Sequence, residues 1–169
     1  MTSGRKSQSM KLPELLAPAG SLEKLEFAIR YGADAVYLGG ERFGLRERAG
    51  NFSFAEMAAG VAFAHERGAR VYVATNIIPH EDDLAALPDY LRQLEAVGVD
   101  AIIAADPGVI ETASQVAPRL DRHLSTQASV TNWRAALMWQ DLGVKRIVLA
   151  RELALEEIAE IKDRTNIEI

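Results

Sequence analysis

The feature that most constrains the fold of this chain is a segment in which a helix ends at glycine and a short apolar strand follows. It occurs four times, as Gly32-Ala-Asp-Ala-Val-Tyr-Leu, Gly68-Ala-Arg-Val-Tyr-Val-Ala, Gly98-Val-Asp-Ala-Ile-Ile-Ala and Gly143-Val-Lys-Arg-Ile-Val-Leu. Glycine tolerates the left-handed conformation that closes a helix, and a β-branched run suits a strand buried on both faces. The repeat therefore predicts a parallel βα fold, in which the polar residues after each strand gather at one end of the sheet.

The spacing of apolar residues predicts strands and helices in strict alternation. The predicted strands are Glu14–Ala17, Ala35–Leu38, Val71–Thr75, Ala101–Ala105, His123–Thr126, Arg146–Ala150 and Ile167–Ile169. The predicted helices are Leu22–Tyr31, Phe54–Arg67, Asp82–Val97, Gly108–Val116, Trp133–Leu142 and Leu155–Asp163. This alternation leaves two architectures, an open doubly wound sheet and a (β/α)8 barrel. Pro18-Ala19-Gly20-Ser21 follows the first strand in place of a G-x-G-x-x-G dinucleotide fingerprint, which favours the barrel.

The length of the chain predicts that this barrel is incomplete. A full TIM barrel has eight βα units over about 250 residues, whereas these 169 residues supply six units and the start of a seventh strand. We therefore expect residues 12–169 to form the N-terminal part of an α/β barrel domain, residues 1–11 to form a flexible tail, and the chain to belong to a longer protein.

Composition narrows the classes of function. The formal net charge of -5 argues against a surface that is basic throughout, so contact with a nucleic acid has to be local or supplied by other sequence. The chain has no cysteine, which excludes disulfides and thiolate ligands and fits a reducing compartment. No apolar run approaches the roughly 18 residues of a membrane helix. We expect a cytoplasmic protein with no membrane partner.

Polar residues that follow the predicted strands form the candidate site. Asn76, Asp106 and Ser125 are the simplest examples, and each also has a structural interpretation as a turn, a helix cap or a strand-end hydroxyl. The longest connection, from Gly39 to Ser53, contains three arginines that could hold a carboxylate or a phosphate. Long loops at this end of a barrel often bind substrate.

Histidine positions give little support to nucleophilic or metal-dependent catalysis. The histidines are His65, His80 and His123, and none follows a predicted strand beside a serine. No histidine pair has metal-ligand spacing, so we predict no metal site within these residues.

Several segments together resemble the peptidase U32 family. They are Glu14-Leu-Leu-Ala-Pro-Ala-Gly20, Tyr31-Gly-Ala-Asp-Ala-Val-Tyr-Leu-Gly-Gly40, Asn51-Phe, Ala105-Asp-Pro-Gly-Val109, and Leu124-Ser-Thr-Gln127 with Asn132. The resemblance runs from about Leu12 to Ile169, and within the family it is strongest to the bacterial tRNA hydroxylation proteins. It implies the formation of 5-hydroxyuridine at the wobble position of tRNA, with prephenate as a required metabolite and, in some members, a second family protein as partner.

The resemblance also implies a cofactor and a set of site residues. Family members hold an iron–sulfur cluster, expected here as [4Fe-4S], on cysteines that should begin just beyond Ile169. The positions that carry over are assigned to substrate binding without individual catalytic roles. They are Glu14, Pro18, Gly20, Tyr37, Gly39, Arg46, Asn51, Asn76, Asp106, Ser125, Gln127, Asn132, Arg151 and Glu152.

Three hypotheses about function follow. The first is part of an RNA-modifying hydroxylase, whose redox chemistry depends on a cluster held outside this chain. The second is a collagenase-like peptidase, as the family name implies, although the sequence has no cysteine and no H-E-x-x-H. The third is a non-catalytic binding fragment.

Overall fold

A computed structural model of the chain describes residues 12–44 and 50–169. Within them, six parallel strands form half of a barrel, in the order β1-β2-β3-β4-β5-β6. The strands are β1 (Leu16–Pro18), β2 (Ala35–Gly39), β3 (Arg70–Ala74), β4 (Ala101–Ala104), β5 (Asp121–Leu124) and β6 (Arg146–Ile147). The predicted α/β half-barrel is confirmed.

A helix follows each strand. The helices are α1 (Leu22–Arg30), α2 (Phe54–His65), α3 (Glu81–Val97), α4 (Pro107–Val116), α5 (Trp133–Asp141) and α6 (Leu155–Arg164). Their first turns are capped by side chains: Ser21 accepts a hydrogen bond from the Lys24 amide, and Ser53 and Glu56 form a capping box. In the part of the chain described here, no helix is long and apolar enough to cross a membrane.

The glycine-led repeat has the backbone geometry that the sequence predicts. Gly32, Gly68, Gly98 and Gly143 have φ angles of 98°, 73°, 87° and 81°. A side chain is strained in this left-handed region, so glycine is the residue that allows each helix to end and the next strand to begin at once.

Two aspartates of the repeat, Asp34 and Asp100, make structural hydrogen bonds that the sequence did not predict. Asp34 Oδ2 accepts a hydrogen bond from the Leu15 amide, and Asp100 Oδ2 accepts one from the Val71 amide, each over 2.7 Å. Each aspartate therefore ties the start of its own strand to the start of the preceding strand.

The two faces of the sheet bury different residues. Val36, Val71 and Ile102 face the helices and belong to the large hydrophobic core. Ala35, Tyr72 and Ala101 form a separate, small cluster on the inner face. This division follows from the alternation of side chains along a strand.

Charged side chains lie beside this cluster on the inner face. Arg146 on β6 donates to Glu14, which precedes β1, over 2.5 Å and 3.4 Å. It also donates to Glu168 over 2.7 Å and 3.0 Å. Tyr72 donates to the Glu14 carboxylate over 2.9 Å. The Arg146 guanidinium thus joins residues that lie at opposite edges of the sheet.

This environment shifts the pKa values of the inner-face residues. Burial alone would raise the pKa of Glu14, but hydrogen bonds from Arg146 and Tyr72 outweigh it, and the pKa lies below its ordinary value. Burial lowers the pKa of His123 to about 4, and the Arg146 charge acts in the same direction. The His123 ring lies edge-on to the Tyr72 ring, with 4.7 Å between centroids.

Some strand boundaries differ from the predicted ones. Strand β5 ends at Leu124 because the next residue, Ser125, accepts a hydrogen bond from the Gln127 amide and starts a 3-10 turn. Strand β6 stops at Ile147, because the Ala150 amide then bonds to the Val130 carbonyl rather than to β5. The predicted seventh strand is present as a single parallel bridge from Glu168 to Arg146.

Replacing Arg146 should test the inner ion pair. We expect Arg146→Met to lower the free energy of unfolding by about 2 kcal/mol, because it leaves the partly buried Glu14 carboxylate without its cation. Urea denaturation measures this change. The matched control is Arg164→Met, which breaks an exposed pair with Glu160 and should cost less than about 0.5 kcal/mol. Equal losses in the two variants would contradict a special role for Arg146.

His123 should make stability depend on pH. Its pKa is about 4 in the fold and about 6.5 in an unfolded chain, so between these values the unfolded state binds more protons. The free energy of unfolding should therefore fall by about 2 kcal/mol between pH 7 and pH 5 through this group. Glu14, whose pKa is also lowered, adds to the loss only at lower pH.

The measurement is urea denaturation at the two pH values. The variant His123→Gln should lose less stability over this interval than the unmodified chain. His80→Gln, at an exposed histidine, is the control and should keep the full loss. An unchanged pH dependence in His123→Gln would show that another group is responsible.

Candidate functional site

A cleft of about 350 Å³ lies at the carboxyl ends of the strands. We call it the mouth cleft. Its lining residues are Pro18, Ala19, Gly20, Tyr37, Leu38, Gly39, Gly44, Gly50, Asn51, Ala74, Asn76, Ser125, Thr126 and Gln127. The volume lies within the range of small-molecule sites, and the position is the one at which βα barrels bind their ligands.

Polar groups converge on one wall of the mouth cleft. The Asn76 side chain, beyond β3, donates from Nδ2 to Gln127 Oε1 over 2.8 Å. Ser125 Oγ donates to the same Gln127 oxygen over 3.4 Å and accepts from the Gln127 amide over 3.3 Å. The side chains of Asn76 and Gln127 are therefore held in place by these hydrogen bonds.

Glycines allow the loops of the opposite wall to approach each other. A Cβ atom on Gly50 would lie 2.2 Å from the Gly20 carbonyl oxygen, so only glycine fits there. Across β2, the Asn51 Oδ1 atom lies 3.5 Å from where a Cβ of Gly39 would be. The loops after β1 and β2 thus form one continuous wall.

Aromatic packing anchors the described ends of the long loop after β2. Phe43 is buried and its ring lies 4.7 Å from the Tyr90 ring of α3. Phe52 is also buried, and its amide donates to the Gly39 carbonyl over 2.9 Å. Burial raises the pKa of Tyr90, so its hydroxyl stays protonated.

The described part of the lining of the mouth cleft is electrically neutral. None of the lining residues within the described ranges carries a charged side chain. Arg42, in the long loop, stacks over the Phe43 ring at 5.1 Å. Such a wall suits a neutral, planar ligand that forms hydrogen bonds.

Most of the site residues predicted from the sequence come together here. The mouth cleft contains Pro18, Gly20, Tyr37, Gly39, Asn51, Asn76, Ser125 and Gln127. Their roles in substrate binding stay predictions. Arg46 lies outside the described residues.

The placement of Glu14 at the substrate-facing mouth is wrong. Glu14 precedes β1, at the amino ends of the strands, and its carboxylate is bound by Arg146 and Tyr72 on the inner face. The segment that contains Glu14 resembles the family, but the resemblance gave no information about which end of the strand the side chain occupies.

Four other predicted residues lie near the strand ends without lining the mouth cleft. Asp106 caps α4 by accepting from the Gly108 and Val109 amides, and Asn132 caps α5 by accepting from the Ala135 amide. Arg151 and Glu152 are exposed in a turn after β6. The structural interpretation of Asp106 as a helix cap is therefore the one that the geometry supports.

The sequence analysis missed several lining residues. Thr126 stands between two predicted residues and donates to the Leu149 carbonyl over 3.1 Å. Ala74 follows Tyr72 at the two-residue period of a strand, which places both on the inner face. Gly50 directly precedes Asn51, but its contact with Gly20 brings together loops that are distant in sequence.

Comparisons with known proteins agree with this fold and extend the resemblance. Residues 20–169 match the family described as Peptidase family U32. The chain is 52% identical over 159 residues to tRNA hydroxylation protein P1 of Bacillus subtilis, covering 94% of this chain and 38% of that protein. It is 40% identical over 153 residues to the 23S rRNA 5-hydroxycytidine C2501 synthase of Escherichia coli, covering 90% of this chain and 23% of that protein.

A solved structure shows the same architecture. The U32 peptidase it contains has a TM-score of 0.74 at 19% identity, covering 98% of this chain and 70% of that chain. This likeness supports the barrel fold alone. The chain spans well under half the length of the two relatives above.

Asp106 offers a test that separates a helix cap from a ligand contact. We expect Asp106→Ala to lower the free energy of unfolding by about 1 kcal/mol, since two amides of α4 lose their acceptor, whereas Asp106→Asn should change it by much less. Thermal or urea denaturation gives both values. A large loss in Asp106→Asn would contradict the cap interpretation.

Proposed function

This chain belongs to the peptidase U32 family, and on that premise we propose that it forms the substrate-binding part of an RNA hydroxylase that acts on tRNA. The observation that carries the proposal is the 52% identity to a tRNA hydroxylation protein over 94% of the chain. A second relative named for RNA hydroxylation, the rRNA 5-hydroxycytidine synthase, places this kind of reaction elsewhere in the family.

The finer part of the proposal is the reaction. We propose that the target is a wobble uridine, hydroxylated at C5, with prephenate as co-substrate and a tRNA as macromolecular partner. Hydroxylation of C5 replaces a C–H bond with a C–OH bond and is a two-electron oxidation, so it needs an oxygen donor and a final electron acceptor, both of which we propose come from outside this chain. A [4Fe-4S] cluster held by other sequence is the group proposed to relay the electrons. A second U32 family protein as partner remains part of the same proposal.

The residues of this chain do not fit an iron–sulfur cluster. Clusters of this kind are held by cysteine thiolates, and the chain has no cysteine. The cluster therefore has to be held by other sequence. We propose that this chain contributes the mouth cleft, whose described lining is neutral, and that the cleft holds and orients a planar base.

The dicarboxylate prephenate also finds no cation in the described lining of the mouth cleft. The arginines of the loop after β2 are the nearest candidates by sequence, and Arg42 is the one that the structure describes. We propose that the co-substrate is held at this loop, beside the base rather than in its place.

The peptidase hypothesis gains no support from the geometry. A serine nucleophile needs a base within hydrogen-bond reach. The Ser125 hydroxyl in the described structure bonds to the side chain and the amide of Gln127, and His123 faces Tyr72 instead.

The proposal predicts a change in tRNA nucleosides. Deletion of the complete gene should remove 5-hydroxyuridine-derived nucleosides from tRNA, and a plasmid copy should restore them. Mass spectrometry of digested tRNA measures this, and iron analysis of the complete protein purified without oxygen tests the cluster. An unchanged nucleoside profile in the deletion strain would remove the tRNA assignment. Hydrolysis of casein by the purified protein would favour the peptidase hypothesis.

A further inference from the structure

We propose that Asn76 and Gln127 bind the base that enters the mouth cleft, by forming hydrogen bonds to the N3–H and O4 groups of a uracil ring. This inference rests on the proposed function, because it assumes that the ligand is a base of RNA. It adds the residues that recognise the base and the edge of the base that they contact.

The hydrogen bonds between these side chains define what they offer to a ligand. Gln127 Oε1 accepts from Asn76 Nδ2 over 2.8 Å and from Ser125 Oγ over 3.4 Å. Among the described residues, Gln127 Nε2 and Asn76 Oδ1 have no hydrogen-bond partner. Gln127 therefore offers a donor to a ligand, and Asn76 offers an acceptor.

The orientation of the two amides decides which residue donates to a ligand. If both amides were rotated, Gln127 Nε2 would donate to Asn76 Oδ1, which would leave Asn76 Nδ2 as the donor and Gln127 Oε1 as the acceptor. The Ser125 hydroxyl favours the first orientation, because it donates to the Gln127 oxygen.

A neighbouring donor and acceptor match the imide edge of uracil. The N3–H group of uracil can donate to Asn76 Oδ1, while O4 can accept from Gln127 Nε2. Phosphate and carboxylate groups only accept at neutral pH, so they would meet the Asn76 oxygen without a proton to share. The neutral lining of the described cleft also favours an uncharged ring over an anion.

Two strand ends hold this pair, which makes it rigid. Asn76 follows β3 and Gln127 follows β5, and the two residues are 51 positions apart in sequence. Strand β4 lies between them and pairs with both. The positions of the two side chains are therefore set by the sheet, and positioning of this kind favours the binding of a small planar edge.

The discriminating variant is Gln127→Glu. A glutamate keeps the size of the side chain and still accepts from Asn76 Nδ2 and Ser125 Oγ, so a merely structural role would survive. The substitution replaces the Nε2 donor of Gln127 with a carboxylate oxygen that repels O4 of uracil. The matched control is Gln140→Glu on α5, which adds the same charge and still accepts from the Asn166 amide away from the mouth cleft.

The first experiment complements the deletion strain with each variant of the complete gene. We expect Gln127→Glu to lower the hydroxylated nucleoside in tRNA by about tenfold or more, the effect of leaving polar groups of a bound base unpaired. Gln140→Glu should match the unmodified gene. Wild-type levels with Gln127→Glu would overturn the inference while leaving the proposed function intact.

The second experiment measures binding of uridine and N3-methyluridine to the complete protein by ligand-observed NMR. Methylation removes the N3–H donor, so we expect affinity to fall about tenfold or more, and Gln127→Glu should weaken uridine binding likewise. If this selectivity is present but tRNA hydroxylation is not, the inference stands and the proposed function fails. Equal binding of both nucleosides, or of neither, would overturn the inference.

Discussion

The ion pair between Arg146 and Glu14 links the two edge strands of this half-barrel. Strands β1 and β6 are separated by four other strands, and their amino ends meet across the inner face through these two side chains. Both side chains are mostly buried, with 18% and 22% of their surfaces exposed. Because a partly buried charge is costly when unpaired, Arg146 and Glu14 depend on each other, and the exposed Glu168 adds a second acceptor for the same guanidinium. The pair joins the edges of the sheet at the amino ends of the strands, whereas the mouth cleft lies at their carboxyl ends.

The fold could be predicted well because each βα unit is specified by residues that are close together in sequence. A glycine with positive φ and the apolar run after it are adjacent in sequence, so the six units and their order could be predicted without knowledge of any distant contact. The residues at which β5 and β6 end could not be predicted, because they depend on hydrogen bonds between distant or irregular segments. After β5 the Gln127 amide donates to the Ser125 side chain, and after β6 the Ala150 amide donates to the Val130 carbonyl. The partner of Asp34 at the Leu15 amide is equally non-local.

Part of the candidate site could also be predicted from residues that are close together in sequence. Residues that follow a strand must lie at its carboxyl end, which is why Asn76, Ser125 and Gln127 were found. Glu14 precedes its strand, and its partner Arg146 is 132 positions away, so its location on the inner face could not be read from neighbouring residues. The same limit applies to the bond between Asn76 and Gln127, since the sequence predicts both residues but not their pairing.

The net negative charge of the chain bears differently on the recognition of a base and on the affinity for RNA. Phosphate contacts by arginine and lysine supply most of the affinity in such complexes, while contacts to base edges supply specificity. This chain carries a net charge of -5, and several described arginines are already paired, as Arg119 is with Glu95. A mouth cleft whose described lining is neutral, in an acidic domain, adds little to the attraction of a polyanion. Under the proposed function, the affinity for tRNA therefore has to come from other surfaces, and a substitution in the cleft should alter the binding of the base more than the affinity for the RNA as a whole.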